Sequence, residues 1–196
     1  MSGNIASTPR RPRADAERNR QRLLDAAKAV FAEKGSMASL EEIARAAGVG
    51  IGTLYRHFPT RDALVEQVYR TESTQLAQAA THLVRTQPPV EALRLWLQLF
   101  VDYLATKQIM SEALNAMVCG PGALYAASGA QLMASITDLC GRAVASGAIR
   151  LEVEPLDMLR ALAGVAHPGA GIAGRESAKR LVDMMLAGAR AARPSE

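Results

Sequence analysis

The chain has few of the residues on which catalysis and metal binding depend. It contains two cysteines and three histidines among 196 residues, and aromatic residues make up only 4%. Cys119 and Cys140 are isolated, and no spacing of cysteine and histidine suits a zinc ion. We therefore expect neither a metal nor another cofactor, and the cysteine usage fits a reducing, cytoplasmic setting.

Long apolar segments are also missing. No apolar run reaches the roughly 18 residues of a membrane span. The N-terminal stretch MSGNIASTPRRPRADAERNR is polar and basic, without the apolar segment of a secretory signal. Hydrophobic residues nevertheless make up 49% of the chain, which is enough for a real core. We expect a globular protein with no membrane partner.

Positive charge is concentrated in the first third of the chain. The formal net charge is +4, yet the segment up to Arg61 has eleven basic residues and only six acidic ones. The remainder is therefore slightly acidic. A basic segment followed by a near-neutral body is typical of a protein that binds a polyanion with one end.

The hydrophobic periodicity predicts an all-α chain of about nine helices, with no strand alternation. Residues 1–17 are expected to form a disordered basic arm, residues 18–64 a three-helix domain, and residues 65–196 a helical body. The predicted helices cover residues 18–34, 40–47, 51–58, 61–86, 90–107, 110–118, 123–146, a segment starting at 155, and 176–192.

The second and third helices are separated by a short turn with glycine, which is the helix-turn-helix pattern. Ser39 and Glu42 predict a capping box, Gly48 predicts the end of the second helix, and Pro59 prevents continuation of the third. In such a motif the second helix enters the major groove of DNA. Its outward face is expected to consist of Gly52, Thr53, Arg56 and His57, and its inward face of Ile51, Leu54, Tyr55 and Phe58.

The segments SLEEIARAAGVG and TLYRHFPTRDAL resemble the TetR family of bacterial transcriptional regulators, over about residues 22–68. The resemblance implies contacts to double-stranded DNA from Ser39, Thr53, Tyr55, His57 and Arg61. Arg56 is the best candidate for reading a base, because arginine to guanine is the commonest specific contact. Gly52 allows the backbone to approach closely. Ile51 stands where a polar residue is frequent, and it either touches a thymine methyl group or packs.

The resemblance also implies a body that binds a ligand and forms a homodimer through the last two helices. A dimer would place its recognition helices on a palindromic operator, about 34–36 Å apart. Ligand contacts are sought among adaptable apolar side chains, for each of which ordinary core packing is the alternative. These candidates are Trp96, Phe100, Tyr103, Met110, Met117, Tyr125 and Met133.

These features predict a homodimeric repressor released from its operator by a small apolar molecule. A DNA-binding regulator without a ligand, or an activator, would have the same DNA chemistry. An enzyme is not expected, because His57, His82 and His167 are far apart in sequence and no nucleophile motif accompanies them.

Overall fold

A computed structural model of the chain describes residues 11–166 and 171–189. Within these ranges the chain is helical without a β-strand, which confirms the predicted all-α class. Two compact units divide inside the fourth helix, between Val68 and Tyr69; we call them the N-terminal and the C-terminal unit. The described helices are α1 (Arg11–Lys34), α2 (Leu40–Ala46), α3 (Ile51–His57), α4 (Arg61–Thr86), α5 (Pro89–Ile109), α6 (Ser111–Asn115), α7 (Gly122–Ala145), α8 (Pro155–Val165) and α9 (Gly171–Gly188), with a 3₁₀ turn at Gly35–Met37.

The first helix begins earlier than the sequence pattern predicted. Residues 11–17 are helical, although they were expected to belong to a disordered arm. Ala14 and Ala16 are strong helix formers, and Arg18 pairs with Asp15 one turn before it, so this segment supports a helix locally. The remainder of the expected arm, including Arg10, lies outside the described residues.

In the N-terminal unit, α1 packs against both α2 and α3. Their contact surface is made of fully buried apolar side chains, among them Leu23, Phe31, Ile43 and Leu54. Leu54 is the one buried residue inside α3, and Phe58 follows as the buried cap residue of that helix. A helix of two turns is unstable alone in water, so these two anchors keep α3 in place.

In the C-terminal unit, α5 is the central element and contacts α6, α7, α8 and α9. This explains why its sequence is apolar on nearly all sides. Trp96 is completely buried, and its indole N–H donates to the carbonyl oxygen of Leu76 at 2.9 Å. Its ring stacks on Phe100 with centroids 5.9 Å apart. The tryptophan thus fixes α5 against α4 within this unit.

The last helix is joined to α5 by both apolar and ionic contacts. Ala178, Val182 and Leu186 are buried, so the apolar stripe that they form along α9 is covered inside this unit. Asp102 accepts from Arg175 at 2.7 Å and pairs with Lys179 at 3.0 Å. These ion pairs are partly exposed, so they orient the helix more than they stabilise it. None of the described helices has the length and hydropathy needed to cross a membrane.

The turn between α2 and α3 has a left-handed residue at its centre. Gly48 has φ +65°, and its N–H donates to the carbonyl of Arg45 at 3.0 Å. The next residue, Val49, donates to Ala44 at 3.0 Å, which completes the Schellman motif. A Cβ atom at Gly48 would lie 2.5 Å from a guanidinium nitrogen of Arg22. Glycine is therefore required here by backbone conformation, whereas the flexible end of Arg22 could move aside.

We predict opposite effects for alanine at two glycines of this motif. Gly48→Ala should lower the free energy of unfolding by about 1–2 kcal/mol, because a left-handed conformation is unfavourable with a Cβ atom. Gly52→Ala should raise it by about 0.5–1 kcal/mol, since Gly52 is helical and a Cβ atom there meets no atom within 4 Å. Urea denaturation measures both. Equal shifts in the same direction would contradict the assigned turn.

Candidate nucleic-acid interface and ligand cavity

The outward face of α3 is formed by Ile51, Gly52, Tyr55 and Arg56. The side chain of Tyr55 is 47% exposed and that of Ile51 is 37% exposed, so both differ from their expected place on the inward face. Thr53 and His57 are half-buried at the edge of the exposed surface. The helix therefore presents a phenol, a guanidinium and an aliphatic side chain together.

The direction in which α3 is buried explains this difference. Leu54 and Phe58 are the anchors, and the buried arc extends from them toward Thr53 and His57. At 100° per residue, Ile51 and Tyr55 then lie on the opposite border of that arc, next to Gly52. The sequence pattern predicted a buried arc that included Ile51 and Tyr55, because isoleucine and tyrosine are common core residues.

Arg56 and Ser39 have groups available to a nucleic acid. The Nε–H of Arg56 donates to the carbonyl oxygen of Gly52 at 3.2 Å, which aligns the exposed guanidinium along α3. Ser39 Oγ accepts from the N–H of Glu42 at 3.2 Å, and the Glu42 carboxylate accepts from the N–H of Ser39 at 3.2 Å. This confirms the predicted capping box. The Ser39 oxygen is an acceptor in the cap, which leaves its proton for a phosphate.

The carboxylate of that cap is itself paired. Lys34 of α1 donates to Glu42, and this hydrogen bond is the main reason why the pKa of Glu42 is lowered and that of Lys34 raised. Both groups are exposed to solvent, so the pair is screened by salt. Its role is to fix α2 relative to α1 on the side where Ser39 lies.

Arg61, expected to clamp a phosphate, makes contacts inside the N-terminal unit. Its two terminal nitrogens donate to the carbonyl oxygens of Ser36 at 3.0 Å and Ala38 at 3.2 Å. The guanidinium also lies 5.1 Å from the ring centroid of Phe31. Arg61 thus holds the start of α4 to the segment that leads into α2.

Two further arginines of α1, for which the sequence pattern predicted no role, lie beside the recognition helix. The guanidinium of Arg20 is 5.6 Å from the ring centroid of Phe58, and that of Arg22 lies against Gly48. The sequence signal that could have identified them is their position just before the buried Leu23 and Leu24 on the same helix. Together they add positive charge next to both ends of α3.

The C-terminal unit contains a cavity of about 270 Å³ between α4, α5, α7 and α8. Four of the predicted ligand contacts line it, namely Phe100, Tyr103, Tyr125 and Met133. The other three do not. Trp96 and Met110 have no exposed surface and belong to the core, and Met117 lies away from the lining. Because α5 contacts four other helices, the sequence alone does not show which of its apolar side chains line the cavity and which lie in the core.

A chain of hydroxyl groups forms one wall of this cavity. Tyr103 donates to the Tyr69 oxygen at 2.6 Å, and Tyr69 is bonded to Ser128 Oγ at 2.9 Å. Ser128 in turn donates to the carbonyl oxygen of Leu124 at 3.0 Å. All three hydroxyl residues are buried, and burial together with the Tyr69 contact raises the pKa of Tyr103. Either oxygen of the Tyr69–Ser128 bond could donate, and when Ser128 donates to Leu124 the donor is Tyr69.

Lys107 is the other polar feature of the cavity. Its ammonium lies 4.1 Å from the ring centroid of Tyr125, and burial lowers its pKa. Within the described ranges, no carboxylate is placed to form an ion pair with it. Lys107 and Tyr69 were not among the predicted ligand contacts. A lysine near a helix end is usually solvated, so Lys107 gave no signal in the sequence.

Comparison with known proteins gives a family for both units. The family model "Bacterial regulatory proteins, tetR family" matches residues 23–68, which contain the α2–α3 motif. The model "Transcriptional regulator SbtR-like, C-terminal domain" matches residues 88–191, more than half of the chain. The chain belongs to the TetR family of bacterial regulators.

Solved TetR structures agree along most of the chain. The TetR transcriptional regulator SCO0520 of Streptomyces coelicolor is 43% identical, with a TM-score of 0.79, and the match covers 89% of this chain and 99% of that one. A TetR regulator of Mycobacterium vanbaalenii is 31% identical with a TM-score of 0.70, covering 91% and 99%. The family assignment thus extends to the C-terminal unit.

Among curated proteins, an HTH-type transcriptional regulator of Staphylococcus aureus (strain USA300) is 34% identical over 103 residues. UidR of Escherichia coli, also an HTH-type regulator, is 31% identical over 91 residues, which is 46% of this chain and 41% of UidR. The matched segment of the first relative covers 52% of this chain, and the chain spans about half the length of that relative. TetR regulators bind DNA, which is consistent with the exposed face of α3.

In this TetR head, we predict that Arg61 and Arg56 differ in their effect on stability. Arg61→Met should lower the free energy of unfolding by about 1–3 kcal/mol, because two carbonyl oxygens and the Phe31 ring lose a charged partner. Arg56→Met should change it by less than about 0.5 kcal/mol, since Arg56 is exposed and bonded within its own helix. Thermal unfolding without DNA measures both; a stable Arg61→Met variant would leave that arginine only an interface role.

Proposed function

We propose that this protein is a homodimeric transcriptional repressor that acts in the cytoplasm, binds a palindromic operator through α3, and releases it when a small molecule occupies the cavity. The observation that carries the proposal is the exposure of Ile51, Tyr55 and Arg56 on one face of α3, behind a rigid Schellman turn. A helix of this kind fits the width of the major groove. The regulatory role is proposed from the family, and the DNA contacts are proposed from the geometry of α3.

Each exposed group of α3 has a chemical role in this proposal. Arg56 donates to the O6 and N7 atoms of a guanine, and Ile51 contacts a thymine methyl group. Tyr55, Thr53 and His57 bond the sugar-phosphate backbone, which fixes the register of the helix on the duplex. Gly52 lets the backbone of α3 approach a base edge.

Groups outside α3 complete the proposed contact surface. The Ser39 hydroxyl donates to a phosphate at the start of α2. Arg61 positions that segment, and its remaining N–H groups face the same phosphates. Arg20 and Arg22 add a positive potential beside α3, so the affinity should fall steeply with salt.

The dimer is proposed through the exposed surfaces of α8 and α9. After the α9 stripe has been covered internally, the helices still expose several small residues, and Met184 of α9 is 67% exposed. Small side chains allow two helix pairs to pack closely, and a long flexible methionine fills gaps between them. The exposed small residues are Ala161, Gly164, Ala187 and Gly188.

Release would be transmitted through α4. This helix contributes Arg61 to the N-terminal unit and Tyr69 to the wall of the cavity. A ligand that prefers one arrangement of Tyr69 shifts the population of α4 positions, by no more than the difference in its two affinities. DNA and ligand then weaken each other's binding equally.

Selection of bound duplexes from a random DNA pool tests the DNA function. The native protein should enrich a palindrome whose half-sites are about 10–10.5 base pairs apart or a multiple of that. The double variant Tyr55→Ala/His57→Ala should bind the enriched duplex at least about 100-fold more weakly, because bonds to charged groups are worth about 1.5–3 kcal/mol each. His82→Ala, an exposed histidine of α4, is the control and should bind like the native protein.

Two results would count against the DNA function. The first is the enrichment of no palindrome by folded protein, repeated after refolding from denaturant to remove any ligand carried through purification. The second is unchanged affinity of the Tyr55→Ala/His57→Ala variant. An enriched sequence without two-fold symmetry would overturn the dimeric part alone.

The dimer surface makes a separate prediction. Gly164→Glu places a carboxylate where the two helix pairs are proposed to meet, and it should convert the dimer into a monomer in sedimentation velocity. Gly141→Glu, at an exposed glycine of α7 where a Cβ atom meets no other atom within 4 Å, is the control and should remain dimeric. A monomeric native protein would refute the dimer, and a dimeric Gly164→Glu variant would place the partner surface elsewhere.

A further inference from the structure

We propose that the effector is a small amphipathic monoanion, an organic acid whose acidic group pairs with Lys107 and Tyr103 while its apolar body lies among Phe100, Leu132 and Met133. This inference rests on the proposed function of the cavity and specifies the chemical class of its ligand. It revises the expectation from the sequence that the effector is a small apolar molecule.

The charge inside the cavity favours an anion. The charged residues of its lining are Lys107 and Arg160, and no carboxylate belongs to the lining. Arg160 donates to Asp157 at 3.0 Å, so its charge is already compensated. Lys107 has a tyrosine ring on one side and no carboxylate partner within the described ranges. One uncompensated positive charge corresponds to a ligand with one negative charge.

The position of Lys107 on α5 favours an acid in particular. Tyr103 precedes Lys107 by four residues, so the phenol and the ammonium lie on the same face of the helix, one turn apart. A carboxylate has two oxygens and can accept from both groups. The hydroxyl chain allows this, because Tyr69 already donates to Ser128 and does not depend on the Tyr103 proton. A rotation of one hydroxyl therefore supplies the second donor.

The apolar part of the cavity lining determines the apolar part of the ligand. Phe100 and Leu104 continue the same face of α5 away from Lys107, and Leu132, Met133 and Leu159 lie opposite. The wall thus changes from polar to apolar along α5. A volume of about 270 Å³ is just below the usual range for drug-sized ligands, roughly 300–1,000 Å³. The body of the ligand is therefore a short aliphatic chain or a small ring system.

A second cavity of about 310 Å³ serves as the internal comparison. It lies between α4, α5 and α7 and is lined by Val84, Ala92, Leu139 and Arg142 among others. Its arginine donates to both oxygens of Asp138, at 3.0 and 2.9 Å, so its charge is compensated. The second cavity therefore lacks the free cation that defines the first.

The test uses matched acids and amides on the full chain. Octanoate and indole-3-acetate are compared with octanamide and indole-3-acetamide by isothermal titration calorimetry. We expect at least one acid to bind the native protein ten times or more tightly than its amide. Lys107→Met should abolish that preference, because it keeps the shape of the side chain and removes its charge. Arg142→Met removes a cation from the second cavity and should keep the preference.

Each outcome decides the inference. Equal binding of acid and amide, or a preference that survives Lys107→Met, would overturn the anion. Failure of both acids to bind at millimolar concentration would overturn it as well. Thermal unfolding checks that Lys107→Met is folded, and Tyr103→Phe provides a second variant, expected to weaken the acid and not the amide. Native protein that binds its selected duplex but neither acid refutes this inference alone, whereas loss of duplex selection refutes the proposed function.

Discussion

The left-handed turn at Gly48 is the constraint on which the DNA-facing surface depends. Its two backbone hydrogen bonds end α2, and the direction in which the chain leaves this turn decides which face of α3 meets the buried surface of α1. Leu54 and Phe58 then anchor α3, while Tyr55 and Arg56 remain exposed. A Cβ atom at Gly48 would strain the left-handed backbone, so the geometry of the recognition helix depends on glycine at this position.

The start of α2, at the other end of that helix, is held by charged groups that lie outside the recognition helix. Arg61 bonds the carbonyl oxygens before α2, and Lys34 bonds the carboxylate that completes the Ser39 cap. Arginine suits the first position, because its planar fork satisfies two carbonyl groups at once. The same residues order the scaffold and place positive charge beside the surface that we propose to bind DNA. A basic first third of the chain has a structural use as well as an electrostatic one.

The sequence was most informative where a local rule has few solutions. Ser39 with Glu42, and Gly48 after an apolar stripe, each define a helix end almost uniquely, and both were predicted correctly. Tyr55 was misplaced because a helix of seven residues offers too few positions to locate its buried arc. Trp96 and Met110 lie in the core and not at the cavity; because α5 contacts four other helices, its register does not separate core from cavity. Lys107 and Tyr69 are recognised only when α4, α5 and α7 come together.

The chain of three hydroxyl groups links α4, α5 and α7 at the cavity of the C-terminal unit. Tyr69 is the α4 residue of the cavity wall, and it is bonded to Tyr103 of α5 and Ser128 of α7. If the carboxylate of a ligand accepts a hydrogen bond from Tyr103, the bond from α5 to α4 is lost, while the bond from α4 to α7 remains. The ligand would thus release α4 from one neighbour and leave it attached to the other. Because Arg61 belongs to the same helix as Tyr69, the release that we propose would start from one hydrogen bond in the cavity wall.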